Sequence, residues 1–181
     1  MTESLVLKTA MGSITANIFM VSNATTSQQP PTTVSITTNT GAIHTRFSLL
    51  AVNTEGQVRV PPGGSFLIDT KSDTSSVHLD FGDAPVGSTL ILTSKTSTGS
   101  INVDLHPTYE GTFSLSSDVG SPAISVKDEV EDPAGEGRKR TVKLVRTRGH
   151  VMVGEVGWGN AHVNGGRVVL KSDIGASRLS L

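Results

Sequence analysis

The residues best suited to bind a ligand lie in the stretch GWGNAHVNGG, residues 157–166, which contains the only tryptophan of the chain. In an extended strand, alternate side chains point to the same face. The row on one face consists of Trp158, Asn160, His162 and Asn164. The opposite face carries only a glycine, an alanine and a valine. We therefore expect the small face to pack inward and the Trp158 row to face solvent.

Such a row favours carbohydrate binding. An indole packs against the apolar face of a sugar ring, and an asparagine amide both donates to and accepts from hydroxyl groups. Tyr109, with His106 close by, is the second candidate for an exposed aromatic. Two alternatives stay open for Trp158: it is a core residue or a cap over the end of the fold, or it contacts another subunit.

Catalytic and metal-binding patterns are weak in this chain. No H-E-x-x-H, G-x-S-x-G or P-loop motif occurs, and the five histidines are scattered along the sequence. The pairs Asp69/Asp73 and Asp80/Asp83 flank predicted turns and could serve a polysaccharide-cleaving enzyme, which needs two carboxylates. Aspartates in turns also bond to their own backbone. We predict a protein that is not an enzyme and has no cofactor, catalytic residue or metal site.

One sequence phrase recurs through the whole chain. It consists of an apolar residue, several Ser, Thr or Asp residues, a glycine, and then alternating apolar positions. The turn positions are Gly12, Gly41, Ser75 in place of glycine, Gly99, Gly120, Gly149 and Gly175. Glycine adopts positive φ without steric cost, which suits a sharp corner between two strands. The spacing indicates about seven repeats of roughly 27 residues.

The repeats position the candidate residues, because each repeat must stack on its neighbours to bury its apolar face. We predict an all-β fold, a β-solenoid or similar stacked-β domain of about seven irregular coils. It forms a single domain over residues 1–181. Loop excursions are expected near residues 22–33, 53–64 and 127–140, the last as a mobile excursion between coils.

Composition excludes several classes of partner. The formal net charge is -1, so nucleic acid is not an expected partner in spite of the basic stretch at residues 138–148. No segment is apolar enough to insert into a membrane, and no signal peptide is recognisable. With no cysteine in the chain, we expect a cytoplasmic or non-classically released protein.

The phrases TNTGAIH at residues 38–44 and TSTGSIN at residues 96–102 carry a family resemblance. They resemble the units of bacterial adhesin-like repeats and, more closely, those of their fungal relatives. The likeness covers almost the whole chain. It implies a β-solenoid or similar stacked-β domain and a role in adhesion or surface recognition, and it transfers no binding or catalytic residue.

The sequence thus predicts a non-catalytic, lectin-like recognition protein that binds a glycan or glycoprotein and forms a homo-oligomer. The first alternative is a structural, self-assembly or adhesion module without a small ligand. An ice-binding protein, suggested by the threonine-rich phrases, and a polysaccharide-active enzyme are less favoured. Glycan binding, concentration-dependent association, thermal hysteresis and hydrolysis would distinguish these four functions.

Overall fold

The structure is a computed structural model that describes residues 4–23, 30–52, 63–127, 130–159 and 165–181. The regular structure in these ranges is all β, as predicted, with fourteen strands. The strands are β1 (Ser4–Met11), β2 (Ile14–Asn23), β3 (Thr32–Thr40), β4 (Ile43–Val52), β5 (Ser65–Thr74), β6 (Val77–Asp83), β7 (Thr89–Thr98), β8 (Ile101–Asp104), β9 (Gly111–Val119), β10 (Pro122–Ser125), β11 (Arg140–Arg148), β12 (Val151–Trp158), β13 (Gly166–Ile174) and β14 (Ser177–Ser180). Among the described residues, no helix is long and apolar enough to cross a membrane.

The strands form two sheets that enclose one core. An eight-stranded sheet has the order β1-β3-β5-β7-β13-β9-β12-β11, and a six-stranded sheet has the order β10-β14-β8-β6-β4-β2. All pairs are parallel except those that β12 makes with β9 and β11. Six sequence phrases therefore fold alike, each as a strand in the larger sheet, a corner, and a strand in the smaller sheet. We call each of these a unit.

The predicted corner glycines adopt positive φ. Gly41 has a φ of 150° and Gly175 a φ of 139°. A Cβ on Gly41 would lie 2.2 Å from the carbonyl oxygen of Gly12, and one on Gly175 would lie 2.1 Å from that of Gly99. Close contact between the corners of adjacent units thus requires glycine at these two positions, in addition to the φ requirement.

Buried hydroxyl groups connect the corners of successive units. In five units, the Ser or Thr three residues before the corner donates a hydrogen bond to the corner carbonyl of the adjacent unit, at 2.6–3.4 Å. The donors Thr38, Ser72, Thr96, Ser172 and Ser117 bond to Gly12, Gly41, Ser75, Gly99 and Gly175, respectively. We call this set the corner ladder, and all of its bonds point in the same direction along the stack.

The core consists of the inward-facing positions of both sheets. Its largest members include Phe47, Phe66 and Phe113, each at most 1% exposed. Phe47 stacks on Phe81 of the next unit, with ring centroids 5.2 Å apart. The predicted alternation is confirmed after the Gly41 corner, since Ile43, Thr45, Phe47 and Leu49 are buried whereas residues 44, 46 and 48 are not. Burial of this aliphatic strip stabilises the fold.

The units do not stack in chain order. The last unit, β13 and β14, lies between the unit β7/β8 and the unit β9/β10 in both sheets. The chain therefore leaves space for one unit after β8 and fills it with its C-terminal residues. The final residue, Leu181, is 1% exposed, and its carbonyl accepts a hydrogen bond from the Lys127 backbone.

The phrase around Gly149 differs from the other six. It folds as the antiparallel hairpin β11–β12 within the larger sheet, and Gly149 is at the hairpin turn. Within the excursion predicted at residues 127–140, Asp132 organises the described part. Its carboxylate accepts hydrogen bonds from the backbone of residues 134, 136 and 138 and forms an ion pair with Arg138 at 2.8 Å. These contacts hold the pKa of Asp132 well below its usual range, mainly through the Arg138 side chain.

Candidate functional site

Trp158 is buried, which corrects the expectation of a solvent-facing indole. Its side chain is 1% exposed, and its Nε1 donates a hydrogen bond to the Pro107 carbonyl at 3.0 Å. It ends β12 beside the connection between β8 and β9, so its ring is enclosed where the hairpin meets that connection. The core-or-cap alternative thus describes its position. The other members of the predicted row, Asn160, His162 and Asn164, lie outside the described residues.

Arg140 packs on the indole of Trp158. Its guanidinium carbon lies 5.9 Å from the ring centroid, within the range of a cation–π contact. The three guanidinium nitrogens are buried and have no hydrogen-bond partner among the described parts of the chain. Burial lowers the pKa of Arg140. This contact joins the first residue of the hairpin to its last residue, at the side opposite the hairpin turn.

The other two predicted ligand residues belong to the connection between β8 and β9, whose Pro107 carbonyl accepts the Trp158 hydrogen bond. Tyr109 is 5% exposed, which also corrects the expectation of an exposed aromatic, and its hydroxyl donates to the Thr112 carbonyl at 2.6 Å. Burial raises its pKa. His106 is partly exposed, and its Nδ1 is 3.0 Å from the Thr108 hydroxyl. Desolvation lowers the pKa of His106, with Asp83 opposing this effect. Trp158 and Tyr109 are therefore buried, and His106 is partly exposed.

The two aspartate pairs lie within strands and do not flank turns as predicted. Asp69 and Asp73 are both in β5, and Asp80 and Asp83 are both in β6. Asp73 forms an ion pair with Lys71 at 3.0 Å, and Asp80 forms one with Arg46 at 3.4 Å. Asp83 accepts a hydrogen bond from a serine hydroxyl at 3.4 Å. These exposed pairs contribute little to stability.

The histidines show one instance of alignment between units. His44 and His78 are paired in adjacent strands, with ring centroids 6.1 Å apart. In the described ranges, no group of three or more His, Asp, Glu or Cys residues could hold a metal ion.

One end of the stack is covered, and we call it the capped end. There the hairpin continues the larger sheet beyond β9, and its edge strand β11 has a β-bulge between Leu144 and Arg146. The smaller sheet ends in β10, which has four residues and begins with proline. Short strands, proline, bulges and positive charges are the features that prevent edge strands from pairing with another chain. His150 completes the cap, because its Nδ1 lies 2.9 Å from the carbonyl of Gly120, the last corner.

The other end, formed by β1 and β2 and called the open end, has no bulge, proline or short strand in the part that the structure describes. The two edge strands have 8 and 10 residues, and their only charged residue is Lys8. Several apolar side chains are exposed there. They include Leu5 at 39%, Val6 at 55%, Phe19 at 71% and Val21 at 39%. A cleft of about 180 Å³ lies between the two strands near Leu5 and Phe19.

The open end was not predicted from the sequence, although a signal exists there. The stretch IFMV at residues 18–21 is apolar at four consecutive positions, so both faces of β2 carry apolar side chains. A strand with only one buried face alternates instead. Ile18 and Met20 point into the core, whereas Phe19 and Val21 are exposed.

Comparisons with protein-family models, curated proteins and solved structures found no match for this chain. The resemblance to adhesin-like repeats therefore stays a prediction from the sequence phrases, and the functional argument depends on the chain's own geometry.

Proposed function

We propose that this protein is a non-catalytic assembly module that associates through its open end. In this interpretation, the stacked units form a short β-solenoid with a single exposed end for association. The observation that carries the proposal is the difference between the two ends. Both ends expose apolar side chains, including Leu144 and Val145 on β11, but among the described residues only the capped end has a bulge and a short, proline-bearing edge strand that oppose pairing with another chain. The long parallel edges β1 and β2 of the open end are a template for such pairing.

The exposed apolar side chains at the open end lie along both edge strands. Val6 and Phe19 point outward from opposite sheets, while Leu5 and Leu7 continue the core strip and have no covering unit among the described residues. Exposed apolar side chains grouped at one end of a molecule mark an interaction site more strongly than the same side chains scattered singly. Covering them would remove apolar surface from water and pair the free backbone groups of β1 and β2.

The test is the effect of one charged substitution at each end on self-association. Phe19 and Val145 are matched controls, because their side chains are 71% and 70% exposed and each lies on an edge strand. We expect concentration-dependent association of the unmodified protein in analytical ultracentrifugation. Phe19→Lys should weaken it about tenfold or more, and Val145→Lys should leave it unchanged. A protein that stays monomeric at all concentrations, or an association insensitive to Phe19→Lys, contradicts the proposal.

Glycan binding is a second proposal, favoured by one observation. Trp158 donates a hydrogen bond to the carbonyl of Pro107, the residue that follows His106, and Tyr109 is two residues further along the same connection. Of Trp158, Tyr109 and His106, only His106 is exposed enough to contact a ligand. A broad glycan array should show binding that His106→Ala weakens. An array with no bound glycan would remove this proposal.

A further inference from the structure

We infer that the partner at the open end is a second copy of this chain, joined head to head across a two-fold axis into a closed dimer. This inference rests on the proposed assembly function and specifies its partner. It differs from end-to-end stacking into a filament, which requires both ends of the molecule to accept a neighbour.

The capped end provides the first argument for closure. Head-to-tail stacking would place β1 and β2 of one copy on β11 and β10 of the next. The edge strand β11 contains a bulge and carries the exposed residues Lys143 and Arg146, while β10 begins with a proline. These features oppose the strand pairing that a filament would need. The open end therefore has one self-complementary partner available, which is another open end.

The arrangement of β1 and β2 provides the second argument. The two strands meet at the corner Gly12–Ser13. Residues that are the same number of positions from this corner therefore lie opposite each other in the two sheets, at the same distance along the strands. Val6 precedes Gly12 by six positions and Phe19 follows Ser13 by six. A two-fold axis through these two residues would pair each edge strand antiparallel with its own copy and extend both sheets at once.

This register brings together compatible side chains. Val6 and Phe19 each face their own copy, and on the core side Leu5 faces the partner's Leu7. Met20 faces the partner's Ile18 in the same way. Lys8, the only charged residue of either strand, faces the partner's Ser4, so like charges do not oppose each other. Directly opposed apolar pairs of this kind are the unit of stabilisation between antiparallel strands.

The size of the contact is sufficient for a dimer. A strand of 10 residues is about 33 Å long, and two sheets about 10 Å apart with their side chains are about 20 Å across. The open end therefore offers about 600 Å² per copy. The total of about 1,200 Å² is at the lower limit of stable interfaces.

Single cysteines test the geometry, because the natural chain has none. Phe19→Cys would place two thiols opposite each other, with Cβ atoms about 5 Å apart, close to the roughly 4 Å that a disulfide spans. We expect oxidation to convert Phe19→Cys into a covalent dimer. Val145→Cys, equally exposed at the capped end, should stay monomeric under denaturing conditions. A mixture of the two variants should yield no disulfide between positions 19 and 145.

A second measurement covers the case in which the cysteine perturbs the surface. Sedimentation equilibrium of the unmodified protein should fit a monomer–dimer equilibrium with no larger species, and Phe19→Lys should raise the dissociation constant about tenfold or more. A cross-link between positions 19 and 145, or an open series of oligomers sensitive to Phe19→Lys, would overturn the two-fold dimer but leave the assembly function. A strict monomer would overturn both.

Discussion

The corner ladder makes a quantitative prediction about stability. Thr96 is 3% exposed, and its hydroxyl donates to the Ser75 carbonyl of the adjacent unit at 2.9 Å. Thr96→Val removes this donor and keeps the side-chain shape. The variant therefore isolates the hydrogen bond from the packing of the side chain, and Ser75 O loses its hydroxyl partner.

The expected loss follows from the position of the acceptor. Removal of one partner from a buried hydrogen bond lowers the free energy of unfolding by about 1–3 kcal/mol. Ser75 is half-buried, so water can partly replace the hydroxyl, and we expect about 1.5 kcal/mol. For a chain of this size, that loss corresponds to a decrease in Tm of about 3–6 °C.

Thr9 is the matched control for Thr96. It occupies the same position before its corner, but its unit is at the open end, and its hydroxyl bonds to Met11 O of its own strand at 2.8 Å. Thr9→Val should change the free energy of unfolding by no more than about 0.5 kcal/mol. Urea unfolding of both variants, with an unchanged m-value, gives the comparison. Equal losses at both positions would refute the role of the ladder.

Three further predictions concern other parts of the fold. Asp132→Asn should lower the free energy of unfolding at pH 7. Because folding lowers the pKa of Asp132, the difference in this free energy between the variant and the natural chain should shrink as the pH falls below about 4, as measured by urea unfolding. A chain of residues 1–165 should be unfolded alone and should regain β-type circular dichroism when the peptide 166–181 is added; a folded 1–165 chain would contradict the inserted position of the last unit. Trp158→Ala should lower the free energy of unfolding by about 3–5 kcal/mol, and a loss under 1 kcal/mol in urea unfolding would contradict burial of the indole.

The sequence predicted the local features of the fold because they depend on nearby residues. A glycine at 41 or 99 indicates a corner whatever its neighbours are, and the alternation from Ile43 to Leu49 indicates which face is buried. The Ser or Thr three residues before each corner belonged to the same repeated phrase. Its partner could not be predicted, since the acceptor is in another unit and depends on the stacking order.

The features that were not predicted depend on long-range pairing. The residues of β13 do not indicate whether this strand lies at the end of the stack or between two other strands. Its position between β7 and β9 is seen only in the complete sheet order. The hairpin β11–β12 carries the same phrase as the units, with Gly149 at its turn. The strand predicted to continue from Trp158 ends at that residue, because Gly159 turns with a φ of 65°. Strand alternation alone also does not show that the connection containing Pro107 contacts the indole.

The direction of the corner ladder connects the fold to the proposed dimer. Each hydroxyl of the corner ladder donates toward the open end, so the stack has a direction. Its two ends therefore leave different hydrogen-bonding groups without a partner in an adjacent unit. At the capped end the last corner carbonyl, Gly120 O, already contacts His150, which the hairpin turn brings into the place of a further unit. A copy stacked head to tail would meet this turn rather than a free corner, so the ladder could not continue from one molecule into the next. In the proposed dimer, two open ends meet through equivalent strands and leave only capped ends exposed, so growth beyond two copies lacks a compatible surface.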